Sequence, residues 1–146
     1  MESLLISECL LGVACRYDGR SVPLPAEALE KLMARYALVP VCPEQLGGLE
    51  TPRNPSERRD GRVVMNSGED VTAQYARGAA QALYLAERFG CTKALLKERS
   101  PSCGSGQIYD GSFSGTLRGG WGVTAELLAQ NGVTVLGESE LAKLLR

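Results

Sequence analysis

A chain of 146 residues with 44% hydrophobic content has enough apolar material for one ordinary core, so a single domain over 1–146 is expected. A formal net charge of −1 gives no bulk electrostatic reason to bind nucleic acid or a membrane surface; no apolar run approaches the roughly 20 residues of a bilayer span, and the start lacks a basic leader, so a cytoplasmic protein with a small ligand is expected. Histidine is absent, which excludes Ser-His-Asp and Cys-His machinery and imidazole metal sites, while five cysteines, an odd number, suit reduced thiols better than a disulfide framework.

In chain order, Leu4–Ser7 reads as a first buried strand. Pro25 can open a helix whose core stripe is Leu29, Leu32, Met33 and Tyr36, and a second strand comes next at Ala37–Val41. The segment from Pro43 to Glu69 is long and rich in Gly, Pro and charge, with Val63-Val64-Met65 as a short strand candidate; a disordered insertion is the competing reading. Asp70 caps the longest helix, which runs to Phe89 with Val71, Tyr75, Ala79, Ala82, Leu83, Ala86 and Phe89 on one face and Gly90 as its stop. The many small residues suit close packing against a sheet. Lys93–Leu96 is a third strand, and a Gly- and Ser-rich loop from Glu98 to Gly122 leads to a helix from Val123 or Thr124 through Gln130. Val133–Leu136 is a fourth strand, and Ser139 caps a short last helix through Leu145. This alternation predicts an α/β fold: an open, mostly parallel, Rossmann-like sheet with helices on both faces.

Three cysteines come after three predicted strands: Cys9 after the first, Cys42 after the second and Cys103 shortly after the third. In an open parallel sheet the carboxyl ends share one edge, where ligands bind, so thiols far apart in sequence are expected to converge there. Three thiolates on a [4Fe–4S] cluster, which usually takes four, leave one iron open. Backbone N–H groups around Cys103, in Ser100-Pro101-Ser102-Cys103-Gly104, are expected to hydrogen-bond cluster sulfurs. Zinc ranks lower because the chain has no C-x-x-C pair. Cys91 reads as a small buried apolar residue. Cys15, six residues after Cys9, reads either as a fourth ligand or as a resolving thiol.

The chain resembles the thiouracil desulfidases over nearly its whole length. The resemblance is carried by Ser7-Glu8-Cys9-Leu10-Leu11-Gly12, Cys15-Arg16-Tyr17-Asp18-Gly19, Pro40-Val41-Cys42-Pro43-Glu44, Thr51-Pro52-Arg53, Lys97 to Gly104, Tyr109-Asp110-Gly111 and Gly122-Val123-Thr124. It implies a [4Fe–4S] cluster held by Cys9, Cys42 and Cys103, and removal of sulfur from a thiolated uracil base, nucleoside or nucleotide by non-redox hydrolytic exchange. Members acting on thiolated transfer RNA carry an extra domain, so nucleic acid is not an expected partner.

Without histidine, Glu44 is the best-placed general base, and the resemblance favours it too. Ser100 is the second catalytic candidate, as a donor or proton relay, against a plain turn-serine role. Lys97, Arg99, Arg16, Arg53 and Arg118 are candidate phosphate contacts against solvated surface charge, and Gly119-Gly120-Trp121-Gly122 before a helix is a weak anion-site candidate. Asp18 and Asp110, each in a Tyr-Asp-Gly turn, read as structural. The readings that compete with an enzyme are an iron–sulfur redox sensor or sulfur carrier, and a metal-free nucleotide-binding module.

Overall fold

The computed structural model describes residues 1–146. Four short apolar segments pair side by side into one fully parallel sheet: β1 (Glu2–Ser7), β2 (Tyr36–Val41), β5 (Lys93–Leu96) and β8 (Thr134–Gly137), in the order β2-β1-β5-β8. The alternation of the pleat sorts the core into two layers. Leu4, Ile6 and Leu95 face one side, covered by Leu32 of α1 (Ala26–Arg35) and Leu144 of a terminal 3-10 helix (Glu138–Leu144). Leu5, Ala94 and Leu96 face the other, covered by Ala86 of α3 (Thr72–Arg88) and by Ala125 and Leu128 of α4 (Val123–Gln130). The expected open sheet with helices on both faces is what forms. Its chain order reverses between β1 and β5, which makes that pair the switch point where connections leave in opposite directions and a crevice opens.

The long connections are built, not loose. After β2 come a one-turn helix, α2 (Pro43–Leu46), and an antiparallel hairpin of β3 (Ser56–Arg59) and β4 (Arg62–Met65), which rules out the disordered insertion. After β5 a second antiparallel hairpin forms from β6 (Ser105–Tyr109) and β7 (Leu117–Trp121). Local sequence pattern does not reveal that hairpin, because glycine-rich strands such as Leu117-Arg118-Gly119-Gly120-Trp121 carry a weak signal and only pairing with a distant partner makes them strands.

Several boundaries differ from expectation. Tyr36 is the first residue of β2 and not the end of the α1 stripe, and Met33, placed on that stripe by periodicity, is 63% exposed. Phe89 likewise lies exposed at the end of α3, where its register has rotated off the core face. Val71 occupies the cap position of α3, while Asp70 still accepts a hydrogen bond from Thr72 N–H at 2.9 Å. The last helix is 3-10 and starts at Glu138 after Gly137, so Ser139 is inside it.

Candidate active site at the switch point

Each of the three expected thiols is set by the turn that leaves its strand. Cys9 lies in a single 3-10 turn (Glu8–Leu11) that Gly12 ends with φ of 99°, a left-handed conformation glycine adopts freely. Cys42 caps α2: Pro43 fixes the first helical residue, and the Gln45 N–H points to the Cys42 sulfur. Cys103 lies in a turn fastened by Ser100, whose Oγ accepts from Ser102 N–H at 3.1 Å and Cys103 N–H at 3.0 Å. All three, and Cys15 with them, are buried free thiols on the wall of one cavity of about 540 Å³ at the switch point. Cys91 is also a buried free thiol but packs in the apolar layer under α3 and α4, away from that wall.

The thiols of Cys9, Cys15 and Cys42 adjoin one another. Cys15 gains from its hydrogen bond with Cys42, but its contact with Cys9, burial and the nearby Glu8 leave its thiol pushed up to about 12. Cys42 is raised by its hydrogen bond with Cys15, then by burial and the Glu44 carboxyl. Burial first, then Glu44, raises Cys103, against a hydrogen bond from Ser7. Ser7 is oriented for that task, since its Oγ already accepts from Lys97 N–H at 3.0 Å. This pocket opposes bare thiolates and needs a positive group among them to favour ionisation.

Glu44 and Ser100 line the same cavity. Glu44 projects from α2, where burial pushes its carboxyl up while Arg53 opposes that shift. The Arg53 Nη2 lies 3.7 Å from Glu44 Oε2, and its side chain is only 5% exposed. The same guanidinium donates to Cys15 O at 3.1 Å, to Thr51 Oγ1 at 3.0 Å and to Glu50 O at 3.1 Å. Sequence position makes Arg53 a candidate phosphate contact; its neighbours make it the fixed counter-ion of Glu44. Ser100 fills the turn role and keeps one capability beyond it. With two N–H groups aimed at its oxygen, its own proton is left to point elsewhere, and it lines the cavity.

Two expectations fail here. The N–H groups around Cys103 are not free for a cofactor, because Ser102 and Cys103 donate to Ser100 Oγ and Gly104 donates to Ser100 O at 2.9 Å. The glycine run before α4 is no anion cradle either. Its first three residues form part of β7, and the N–H groups of Gly122, Val123, Thr124 and Ala125 donate to Gly104, Pro101 and Ser102 carbonyls. That bond set braces the Cys103 turn against α4, and a Cβ on Gly122 would collide with the Ser102 backbone.

Of the other basic candidates, Lys97 lines the cavity but pairs with Glu138 at 2.8 Å, and Arg16 lines it beside Asp18 at 3.8 Å. Arg99 stands at the exposed rim with φ of 67° and no carboxylate partner, while Arg118 lies outside the cavity. Asp18 and Asp110 fasten turns through Arg20 and Ser112 N–H groups, as expected. Sequence reasoning misses the aromatic side of the wall, Tyr17, Tyr109 and Phe113. It also misses Glu57, which holds Phe113 in place by accepting from Gly111 and Phe113 N–H at 2.9 and 3.1 Å. The Gly-Ser-rich loop carries the only signal for it, and that signal names no partner.

Comparison with known proteins agrees with this geometry. Residues 4–140 match the family model of 2-thiouracil desulfurase. The chain is 45% identical over 152 residues to the uncharacterized protein YbbK of Bacillus subtilis (strain 168), covering 97% of this chain and 99% of that protein. It superposes on the solved structure of a [4Fe–4S]-dependent thiouracil desulfidase, TudS, with a TM-score of 0.94 and 47% identity, covering 99% of this chain and 95% of the other.

Proposed function

This chain belongs to the 2-thiouracil desulfurase family, and we propose that it is a [4Fe–4S]-dependent desulfidase of thiolated uracils that works by hydrolysis in the cytoplasm, as one domain. The observation that carries the proposal is four buried thiols on the wall of one cavity that also holds a largely buried carboxylate with its own arginine. The likeness to TudS, a [4Fe–4S]-dependent enzyme, supports the cofactor.

The donor set fits such a cluster. Soft sulfur ligands suit iron–sulfur chemistry, and the thiols reach one cavity from the ends of three different strands. Cys9, Cys42 and Cys103 are the ligands in this reading, with Cys15 beside them as a further thiol. When bound, the cluster would supply a thiophilic Lewis-acid iron to the site.

The protein's own residues do the rest. Glu44, whose carboxyl is pushed up by burial against the opposing pull of Arg53, takes a proton from a water that adds to the thiocarbonyl carbon. The carbon–sulfur bond breaks as the oxo group forms, so C=S and water become C=O and hydrogen sulfide with no electron gained or lost. Ser100 directs its one unused proton into the cavity toward the reacting group. Tyr17, Tyr109 and Phe113 offer ring faces for a flat base. Reduced thiols throughout suit the cytoplasm.

Anaerobically reconstituted protein incubated with 2-thiouracil, 4-thiouridine and its monophosphate is expected to release sulfide and the oxo base from at least one of them. A brown protein that leaves all three intact would move the reading to a sulfur carrier or redox sensor.

A further inference from the structure

Periodicity makes Tyr75 one apolar position on the core face of α3, and most of the side chain is that. Its ring packs with Val63, Met65 and Val71, and the residue is 3% exposed. Yet it also lines the thiol cavity, so the part that emerges from the core emerges there.

A buried tyrosine hydroxyl ordinarily finds a partner. The other buried tyrosine obeys this: Tyr36 OH donates to Leu144 O at 3.0 Å. Tyr75 does not. Its phenol leans toward Ser56 without reaching hydrogen-bond geometry, and Ser56 Oγ is the single buried side-chain polar atom left without a partner. Two adjoining hydroxyls on the wall, both unsatisfied by protein, mark a place where a polar ligand group belongs. Two of the cationic donors of the wall are engaged, Lys97 by Glu138 and Arg53 by Glu44 and Cys15 O. Tyr75, Glu44 and Cys103 line the same cavity, so the residue shares the space of the proposed reaction centre.

We propose that Tyr75 is a substrate-contacting residue whose O–H donates a hydrogen bond to one ring oxo group of the bound pyrimidine. The inference rests on the desulfidase reading above and deepens it by assigning a residue that reads the base edge. A pyrimidine lacking the oxo group it reads leaves the hydroxyl buried and unpaired, which penalises that ligand.

The test is calorimetric titration of cluster-loaded protein and its Tyr75→Phe variant with uracil, 2-pyrimidinone and 4-pyrimidinone, the last two each lacking one oxo group of uracil. The wild type is expected to bind uracil about tenfold more tightly than one of the two single-oxo rings. Tyr75→Phe keeps the ring's packing, so it is expected to retain iron and melting midpoint, bind uracil about tenfold more weakly and lose that preference. Equal binding of all three rings by the wild type overturns the assignment whatever the variant does, and so does an unaltered preference in Tyr75→Phe. If the wild type also releases no sulfide from any thiouracil, the desulfidase reading fails with it; if turnover is normal, only Tyr75 is removed.

Discussion

Glu44 and Arg53 show how a residue's chemistry is set by its surroundings. A largely buried carboxylate resists ionisation, and a guanidinium held by three other acceptors and placed 3.7 Å away opposes that shift without outweighing it. Base and thiols then separate in a variant panel. Cys9→Ser, Cys42→Ser and Cys103→Ser are each expected to lose most bound iron and sulfide after anaerobic reconstitution, whereas Cys91→Ser keeps both and loses roughly 1–3 kcal/mol of stability from a hydroxyl buried in an apolar layer. Glu44→Gln is expected to keep the iron and lower turnover by about 10²–10⁴-fold. Full iron in any of the first three variants would break the ligand assignment, and a near-normal rate in the last would remove Glu44 from the reaction. Glu44 is legible in the sequence because it adjoins Cys42. Arg53, nine positions away, is legible only as a charge, since its partners depend on how the loop after α2 folds back.

At the scale of elements, α2 is only four residues long and depends on its neighbour for its place. It lies against α3 where Gly47 and Gly78 let the two backbones meet, and a Cβ on Gly78 would overlap the Pro43 carbonyl. The small residues of α3 are expected to permit close packing on the sheet. Ala79, Ala82 and Ala86 are buried as that expectation requires, but Gly78 serves a different contact, with the turn that carries Cys42 and Glu44. Gly78→Ala would favour an isolated helix by about 1 kcal/mol. In the protein the sign is expected to reverse, with a loss of about 1–3 kcal/mol from overpacking in chemical denaturation and a fall in turnover as α2 is pushed away. A variant at least as stable as the parent would mean that the two helices can part at little cost. The β6–β7 hairpin teaches the opposite lesson: its strands have no local preference to read, and Arg99, Tyr109 and Phe113 reach the cavity only through its pairing.

The whole molecule brings three strand ends to one edge, and a group bound by Cys9, Cys42 and Cys103 would tie β1, β2 and β5 together. Ligands that bind only the folded chain stabilise it. Cluster-loaded protein is therefore expected to melt several degrees above the cluster-free form in anaerobic calorimetry; coincident midpoints would show that the three thiols share no group. The sequence by itself determined whatever short-range chemistry encodes: the four parallel strands, the helices between them, the placing of a thiol after each of three strands, and the absence of imidazole. Those come from periodicity, caps and residue type, which act over a few positions. Only the tertiary structure decided which groups were already engaged. The N–H groups beside Cys103 and at the start of α4 look available in the sequence and are all bonded within or onto the Cys103 turn, Arg53 looks like a surface cation and is a buried counter-ion, and Tyr75 looks like core and also lines the site. Availability is a property of distance in space, and residues dozens of positions apart settle it.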